Sequence, residues 1–208
     1  MFEFDIGRSS SGAGAAIAWY DFVCPFSYVG QRRTAILAQA GFAIINLPFQ
    51  SHPEIPVEGV AAGPRTGSVY EFLEDAAKAE GLELNWPARI PNSRLALAAA
   101  EWTRCNDAGS FARFQKSLFE THFVSGEDLG DPAVIDQRLG DAGVDSMPFW
   151  EAVENSSAHD AVAAAEAWGR SFGVFGPPAW LVAGELVSGL HPARDFERLT
   201  TQLHGTAA

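Results

Sequence analysis

Cys24 stands in the tetrapeptide Cys24-Pro25-Phe26-Ser27, between an apolar run and a segment of helical pattern. A helix N-terminus offers unpaired backbone N–H groups and about half a positive charge, and both favour a thiolate over a thiol. Pro25 suits the first helical turn, because its φ is already helical and the missing N–H would have no partner. Ser27 places a hydroxyl where it could donate to the sulfur. The tetrapeptide predicts a nucleophilic thiol of lowered pKa. A buried structural cysteine that happens to precede a proline would give the same local sequence.

A second feature is Gly176-Pro177-Pro178, which comes directly before a short strand pattern. Cis peptide bonds occur almost only before proline and tend to mark tight turns that matter for function. A proline at the start of a strand leaves the preceding backbone exposed, so an extended peptide or a glutathione-like thiol could pair with it. An ordinary turn with a trans proline is the alternative.

Three further residues near these features are weaker candidates. His52 follows the second strand pattern and could line the site, although a histidine in a loop is more often simply solvated. Trp180 comes shortly after Pro178 and could stack on a substrate, but packing is the simpler interpretation. Asp21 lies close to Cys24 in sequence, where its charge would oppose thiolate formation.

The elements that position Cys24 form a β–α–β pattern. Residues 15–22 are apolar and aromatic as in a buried strand, helical pattern runs over about 27–40, and a second strand pattern covers 42–49. This order predicts a parallel pair of strands with a right-handed crossover. Residues 53–67 are rich in Pro and Gly and predict a loop.

Helical patterns fill the middle of the chain. One helix is predicted to begin with a capping box at Ser68-Val69-Tyr70-Glu71, and another with the N-cap and proline pair Asp131-Pro132. Strand patterns return at 178–183 and 186–188, around a Gly184-Glu185 turn that suits a two-residue hairpin, and a last helix follows.

The composition favours a folded protein with small partners. Of the 208 residues 47% are hydrophobic, and the chain contains 15 Phe and 6 Trp, which suffices for a sizeable core. The formal net charge of −12 repels nucleic acids and anionic membranes, so we expect neither as a partner. Glu3 and Asp5 stand where a signal peptide needs positive charge, which favours a cytoplasmic location. The spacing of the cysteines and histidines predicts no metal site.

In combination these motifs resemble the DsbA-like thioredoxin family, and most closely its FrnE-like branch. That branch usually carries Cys-Pro-Trp-Cys followed by Tyr-Ile-Gly-Lys-Arg. The resemblance covers about residues 16–205 and rests on these segments: Cys24-Pro25-Phe26-Ser27 with Tyr28-Val29-Gly30-Gln31-Arg32-Arg33, Pro48-Phe49-Gln50-Ser51-His52-Pro53, Asn92-Ser93, Leu118-Phe119-Glu120 with Phe123 and Gly126-Glu127-Asp128, and Gly173-Val174-Phe175-Gly176-Pro177-Pro178.

The resemblance implies an α/β, thioredoxin-like fold with a helical insertion domain. The thioredoxin-like domain is expected to be split over residues 15–61 and 161–208, with the helical insertion at 62–160.

The resemblance also implies roles for individual residues. Pro178 would be the cis-proline that faces the thiol, with Pro25, Phe26 and Pro177 beside the substrate. Asn92 would contact a bound thiol, although as a helix N-cap it already has a sufficient local role.

Ser27 departs from the family pattern, because the family has the second cysteine of a dithiol site at this position. A dithiol site releases its mixed disulfide by attack of that second thiol, which Ser27 lacks. Cys105 is a poor substitute, since its helical stripe of apolar neighbours predicts a buried structural cysteine. We therefore expect Cys24 to form mixed disulfides alone, with glutathione or another low-molecular-weight thiol as the co-substrate that resolves them.

Two alternatives stay open. The 2-hydroxychromene-2-carboxylate isomerases and kappa-class glutathione transferases share the fold and carry Ser-Pro-Tyr-Ser-like sites, so the chain could be an isomerase or transferase that uses such a thiol on a small aromatic substrate. It could also be a redox-inactive thioredoxin-like binding scaffold. No tightly bound cofactor is expected, and a homodimer is compatible with each interpretation. A Cys→Ser trapping variant of a dithiol site would have the same tetrapeptide.

Overall fold

A four-stranded sheet with helices on both faces carries the N-terminus of the first helix. The computed structural model describes residues 14–205. In chain order its elements are β1 (Ala15–Tyr20), α1 (Pro25–Gln39), β2 (Ala43–Pro48), β3 (Val60–Ala61), α2 (Ser68–Ala79), β4 (Arg89–Ile90), α3 (Arg94–Asn106), α4 (Ala108–Phe123), α5 (Pro132–Asp141), α6 (Met147–Glu154), α7 (Ser157–Ser171), β5 (Ala179–Val182), β6 (Glu185–Ser188) and α8 (Ala193–Gly205).

The sheet has the strand order β2-β1-β5-β6. β1 and β2 are parallel, with Ala15 opposite Ala43 and Tyr20 opposite Pro48. β5 is antiparallel to both β1 and β6. The predicted β–α–β unit and the C-terminal hairpin are therefore confirmed. The two-residue turn of the hairpin is Ala183-Gly184 and not Gly184-Glu185, because Glu185 already pairs with Val182 in β6.

Alternating residues of β1 build the two faces of the sheet, as the period of a strand requires. Ala16 and Ala18 pack with Ile36 and Leu37 of α1 and with Phe196 of α8. On the opposite face the large side chains of β1 pack against α7. The small alanines of the first face let α1 lie close to the strand from which it continues.

A second core joins the end of β1 to the helices between β4 and α7. Phe119 of α4 contacts three aromatic rings around the site, at centroid distances of 6.0 Å to Tyr20, 4.9 Å to Phe22 and 6.0 Å to Tyr28. Such aromatic contacts add to the burial of apolar area. The turn between β1 and α1 is thus held from one side by the helical part of the chain.

Of the two helix starts predicted for the middle of the chain, one is wrong and one is confirmed. The capping box at Ser68 is wrong, because Ser68 is already inside α2 and the N-cap is Gly67, so the Ser68 side chain caps nothing. The pair Asp131-Pro132 does begin α5, and the Asp131 side chain accepts a hydrogen bond from the Ala133 N–H. The two-residue strands β3 and β4 were not predicted. No helix among residues 14–205 is long and apolar enough to cross a membrane.

Candidate active site around Cys24

Cys24 is the N-cap of α1, with Pro25 at the first helical position. Its N–H donates to the Asp21 carbonyl at 3.2 Å, and its carbonyl accepts the first helical bond, from Tyr28, at 3.1 Å. This turn fixes the side chain at the positive end of the helix dipole. The residue is 9% exposed, so it is largely withdrawn from solvent.

The loop before β5 forms the opposite wall of the site. The Pro177–Pro178 peptide bond is cis, as the resemblance implied. The Cys24 thiol donates to the Pro177 carbonyl oxygen, with the sulfur and oxygen 3.5 Å apart. The two features singled out in the sequence, 153 residues apart, therefore meet at the sulfur.

The lowered pKa expected for Cys24 is wrong for this conformation. Burial above all, and the nearby Asp21 charge to a lesser extent, raise the pKa of the thiol to about 11. Hydrogen bonds from the Ser27 side chain and from the N–H groups of Phe26 and Ser27 act in the other direction. The helix terminus does favour the thiolate, but loss of water from the sulfur outweighs it.

Ser27 lies where the family carries its second cysteine, and it is buried. Its hydroxyl oxygen accepts a hydrogen bond from the Asp21 N–H at 3.3 Å. The hydroxyl proton is then available to the Cys24 sulfur, in agreement with the lowering effect that Ser27 has on the pKa of the thiol. Ser27 thus stabilises a thiolate without being able to attack a disulfide.

Asp21 is a more central residue than the sequence suggested. Its carboxylate is fully buried and accepts bonds from the Val23 N–H at 3.3 Å and the Ser51 N–H at 2.6 Å. Burial raises the pKa of Asp21, and a hydrogen bond from the Ser93 side chain partly offsets this. Asp21 therefore ties the Cys24 turn to the loop after β2 and to the start of α3. Its position within an apolar run was the signal that could have revealed this role.

Gly30 allows α1 to approach the sheet beside the site. A Cβ at this position would lie 3.1 Å from Cη2 of Trp180 and 3.5 Å from Cβ of Pro178. Trp180 itself is fixed, because its Nε1 donates to the Thr34 hydroxyl at 2.9 Å and its ring packs edge-on against Phe196. Trp180 is therefore held in place by packing and is 2% exposed.

The remaining predicted residues, Phe26, His52 and Asn92, lie in three different environments. Phe26 is half-buried and packs in the cluster that includes Leu73 of α2. His52 is exposed and its Nδ1 lies 2.9 Å from Oε1 of Glu54. Asn92 is engaged on both sides of its amide, accepting from the Arg94 N–H and the Gln50 side chain and donating to the Ile55 carbonyl. Its amide is therefore already engaged locally, but the N-cap interpretation is wrong, because the N-cap of α3 is Ser93.

The prediction that Cys105 is a buried core cysteine is wrong. It lies in the last turn of α3, is exposed, and has Arg104 Nη2 at 3.3 Å and Glu101 Oε1 at 3.7 Å from its sulfur. Partial loss of water from the sulfur and the Glu101 charge raise the pKa of its thiol. Both cysteines are free, so Cys105 forms no disulfide with Cys24.

Several solved structures are similar in fold over nearly the whole chain. A probable DsbA oxidoreductase from Streptomyces coelicolor superposes with a TM-score of 0.78 at 22% identity, covering 92% of this chain and 90% of that one. A 2-hydroxychromene-2-carboxylate isomerase gives 0.71 at 20% identity, covering 91% and 96%. The cytosolic disulfide reductase DsbM from Pseudomonas aeruginosa, solved with GSH, gives 0.65 at 16% identity, covering 91% and 99%. At these identities the likeness establishes the thioredoxin-like fold.

The family follows from the sequence itself. No protein of curated function matches it. A family model described as the DSBA-like thioredoxin domain matches residues 16–203, which include Cys24, Ser27 and Pro178. The predicted fold class and the predicted family are thereby confirmed, and the chain belongs to the DSBA-like thioredoxin domain family.

Proposed function

We propose that the chain is a thiol-disulfide oxidoreductase that works with one thiol, Cys24, and depends on an external thiol to complete its cycle. The observation that carries this proposal is the position of the sulfur, between the N-terminus of α1 and the Pro177 carbonyl, with Ser27 as its hydroxyl neighbour. Cys105 lies in the last turn of a different helix and takes no part.

The proposed reaction balances with two thiols and one disulfide. The Cys24 thiolate attacks one sulfur of a disulfide, the S–S bond breaks, and the other sulfur leaves as a thiolate. A second, external thiolate then attacks the mixed disulfide and regenerates the Cys24 thiolate. One half of the substrate disulfide leaves as a thiolate, the other half ends in a mixed disulfide with the external thiol, and the protein is unchanged. A second external thiolate that attacks this mixed disulfide completes the reduction of the substrate and forms the disulfide of the external thiol.

Glutathione is the external thiol that we propose. The DsbM structure with GSH supports this choice, because a protein of the same fold was solved with this tripeptide. Glutathione is the main thiol of many cytoplasms, so a cytoplasmic location belongs to the same proposal. We assign the thiol chemistry to the thioredoxin-like residues 15–61 and 161–208, and contacts that hold the site to the insertion at 62–160.

Access to the sulfur sets the rate in this scheme. In the resting state the thiol is almost buried and its pKa is raised, so the reactive thiolate is a minor species at neutral pH. Opening of the loop at Pro177 would rehydrate the sulfur and leave the hydrogen bonds from Ser27 and Phe26 to stabilise the thiolate.

Intact mass measurement after incubation with oxidised glutathione tests the proposal. A Cys105→Ser protein should gain one glutathione, and peptide mapping should place it on Cys24. The matched control, Cys24→Ser with Cys105→Ser, should gain none. Dithiothreitol should remove the adduct. Absence of an adduct on Cys24 over about pH 6 to 9 would overturn the proposal.

An isomerase or transferase that uses bound glutathione is the second candidate. The raised pKa of Cys24 and the hydroxyl of Ser27 favour it, since a buried thiol of this kind exchanges disulfides slowly. Turnover of 2-hydroxychromene-2-carboxylate only in the presence of added glutathione would establish this activity. A protein that shows neither turnover nor an adduct would be a binding scaffold.

A further inference from the structure

A cavity of about 270 Å³ lies between α1, the sheet and α4. Ser27 and Pro178 belong to its lining, so it adjoins the Cys24 site. Its other boundaries are β1, β2 and the middle of α4, away from the side chains of His52 and Asn92 that the sequence had suggested for a ligand.

Small side chains on one face of α1 explain why this space is not filled. Ser27, Gly30, Thr34 and Ala38 follow one another at intervals of three or four residues and therefore share a face of the helix. Ala18 is the residue of β1 beneath them. Large apolar residues usually close the gap between a helix and a sheet. Here the sheet supplies large residues such as Ile44 and Trp180, but the small side chains of α1 leave the space in front of them open.

Neutral polar groups and aromatic rings line the cavity. Gln31, Asn46 and Gln115 supply amide groups from three different elements, and Phe119 and Trp180 supply aromatic surface. Among the described residues that line it, none carries a charge. Since an unpaired carboxylate or ammonium group is costly to bury, such a lining selects neutral molecules.

Tyr20 gives the cavity a specific hydrogen-bonding requirement. The residue is 5% exposed, and its hydroxyl has no hydrogen-bond partner in the described part of the chain. Gln115 lies near enough to offset part of the rise in the pKa of the phenol, but not in the geometry of a direct hydrogen bond. Because burial raises this pKa, the hydroxyl keeps its proton at neutral pH and is available as a donor. A buried donor without an acceptor is unfavourable, and a ligand oxygen would relieve it.

We infer that this cavity binds a small, neutral aromatic molecule whose carbonyl oxygen accepts a hydrogen bond from Tyr20. The volume fits a fused two-ring compound, Phe119 and Trp180 contact its rings, and the amides of Gln31, Asn46 and Gln115 accommodate further polar substituents. Ser27 and Pro178 are shared with the Cys24 site, but Cys24 and Pro177 do not line the cavity, so binding there requires no thiol exchange.

Coumarin is a suitable probe, since it is neutral, has two fused rings and carries one carbonyl group. Isothermal titration should give one saturable site in the wild type, and a crystal structure should place the carbonyl oxygen at the Tyr20 hydroxyl. Tyr20→Phe keeps the ring and removes the donor, so affinity should fall about tenfold.

Tyr28→Phe is the matched control. The Tyr28 hydroxyl donates to the Glu83 carbonyl at 2.8 Å, and Tyr28 does not line the cavity, so coumarin affinity should be unchanged. Without ligand, Tyr20→Phe should be at least as stable as the wild type, because it removes an unpaired buried group. This second measurement excludes loss of folding as the reason for weaker binding.

Two further arms complete the test. Coumarin-3-carboxylate should bind about tenfold more weakly than coumarin or worse, since the cavity offers its charge no cation. Cys24→Ser should bind coumarin as the wild type does, which separates this site from the thiol chemistry. Equal affinities of wild type and Tyr20→Phe, coumarin located elsewhere, or no saturable binding would each overturn the inference.

Discussion

The Ser27 hydroxyl accepts a hydrogen bond from the backbone N–H of Asp21 at 3.3 Å. Ser27, which stands where the family has its second cysteine, is therefore oriented by Asp21, and the charge of Asp21 opposes ionisation of Cys24. Burial and the Asp21 charge favour the protonated thiol of Cys24, whereas the Ser27 hydroxyl favours the thiolate. Substitutions of either neighbour should thus change thiol chemistry in opposite and measurable ways.

Ser27→Cys should convert the site to a self-resolving dithiol. The new thiol would stand beside the Cys24 sulfur, so a glutathione adduct on Cys24 should be expelled as the two cysteines form a disulfide. In a Cys105→Ser background, intact mass after treatment with oxidised glutathione should show loss of two hydrogens and little retained glutathione. A persistent adduct would mean that residue 27 cannot reach the sulfur.

Asp21→Asn should lower the pKa of Cys24, because it removes the charge that raises it. The rate of alkylation by iodoacetamide at pH 8 should rise by up to about tenfold, with the inflection of the pH–rate profile moving to lower pH. A looser structure would instead raise the rate at every pH and leave the inflection in place. Asn also lacks one of the two carboxylate acceptors, so stability should fall by about 1–3 kcal/mol.

Gly30→Ala should destabilise the protein, because its Cβ would lie 3.1 Å from the immobile Trp180 ring. Overpacking costs about 1–3 kcal/mol, and better helix propensity returns about 1 kcal/mol, so a net loss of about 1–2 kcal/mol is expected. Gly140→Ala in α5 is the matched control, since a Cβ there meets nothing within 4 Å and should stabilise. Urea unfolding of both variants measures the difference, and equal effects would contradict the close approach of α1.

His122 should make the protein less stable in acid. Burial and the nearby Arg65 lower its pKa from 6.5 to about 4. As pH falls from 6.5 to 4, the unfolded chain binds a proton that folded His122 does not, so the free energy of unfolding should drop by up to about 3 kcal/mol. The raised pKa of Asp21 acts in the opposite direction.

His122→Gln removes this titration and should flatten the dependence of unfolding free energy on pH within that window. Urea midpoints at several pH values provide the measurement. The same slope in both proteins would show that other groups control acid unfolding.

The sheet and its first helix were predictable because their patterns are strong. The apolar runs, the proline after Cys24 and the Gly184 turn each favour one local structure. The α3 helix shows where periodicity loses information. Residues 96–100 are all buried, so this alanine-rich helix is enclosed on every side. Its apolar pattern therefore does not show which face of the helix points to the core. The face predicted to be buried placed Cys105 in the core, whereas Cys105 is exposed.

The site was predictable in its members but not in its energetics. Cys24, Ser27 and the Pro177–Pro178 pair carry local signals that the sequence displays. The pKa of the thiol depends on how deeply the sulfur is enclosed, and that follows from tertiary packing. Tyr20 and the space beside it were missed for the same reason, since small residues on α1 do not reveal what lies opposite them.

The Pro177 carbonyl accepts the hydrogen of the Cys24 thiol, and this one contact has a consequence for how a substrate arrives. A resting thiol occupies the acceptor that an incoming strand would need for its own N–H. When the thiol loses its proton, that contact ends and the carbonyl becomes free. Binding of an extended peptide at this edge and ionisation of Cys24 are then coupled. Such a peptide binds preferentially to the protein molecules in which Cys24 is a thiolate.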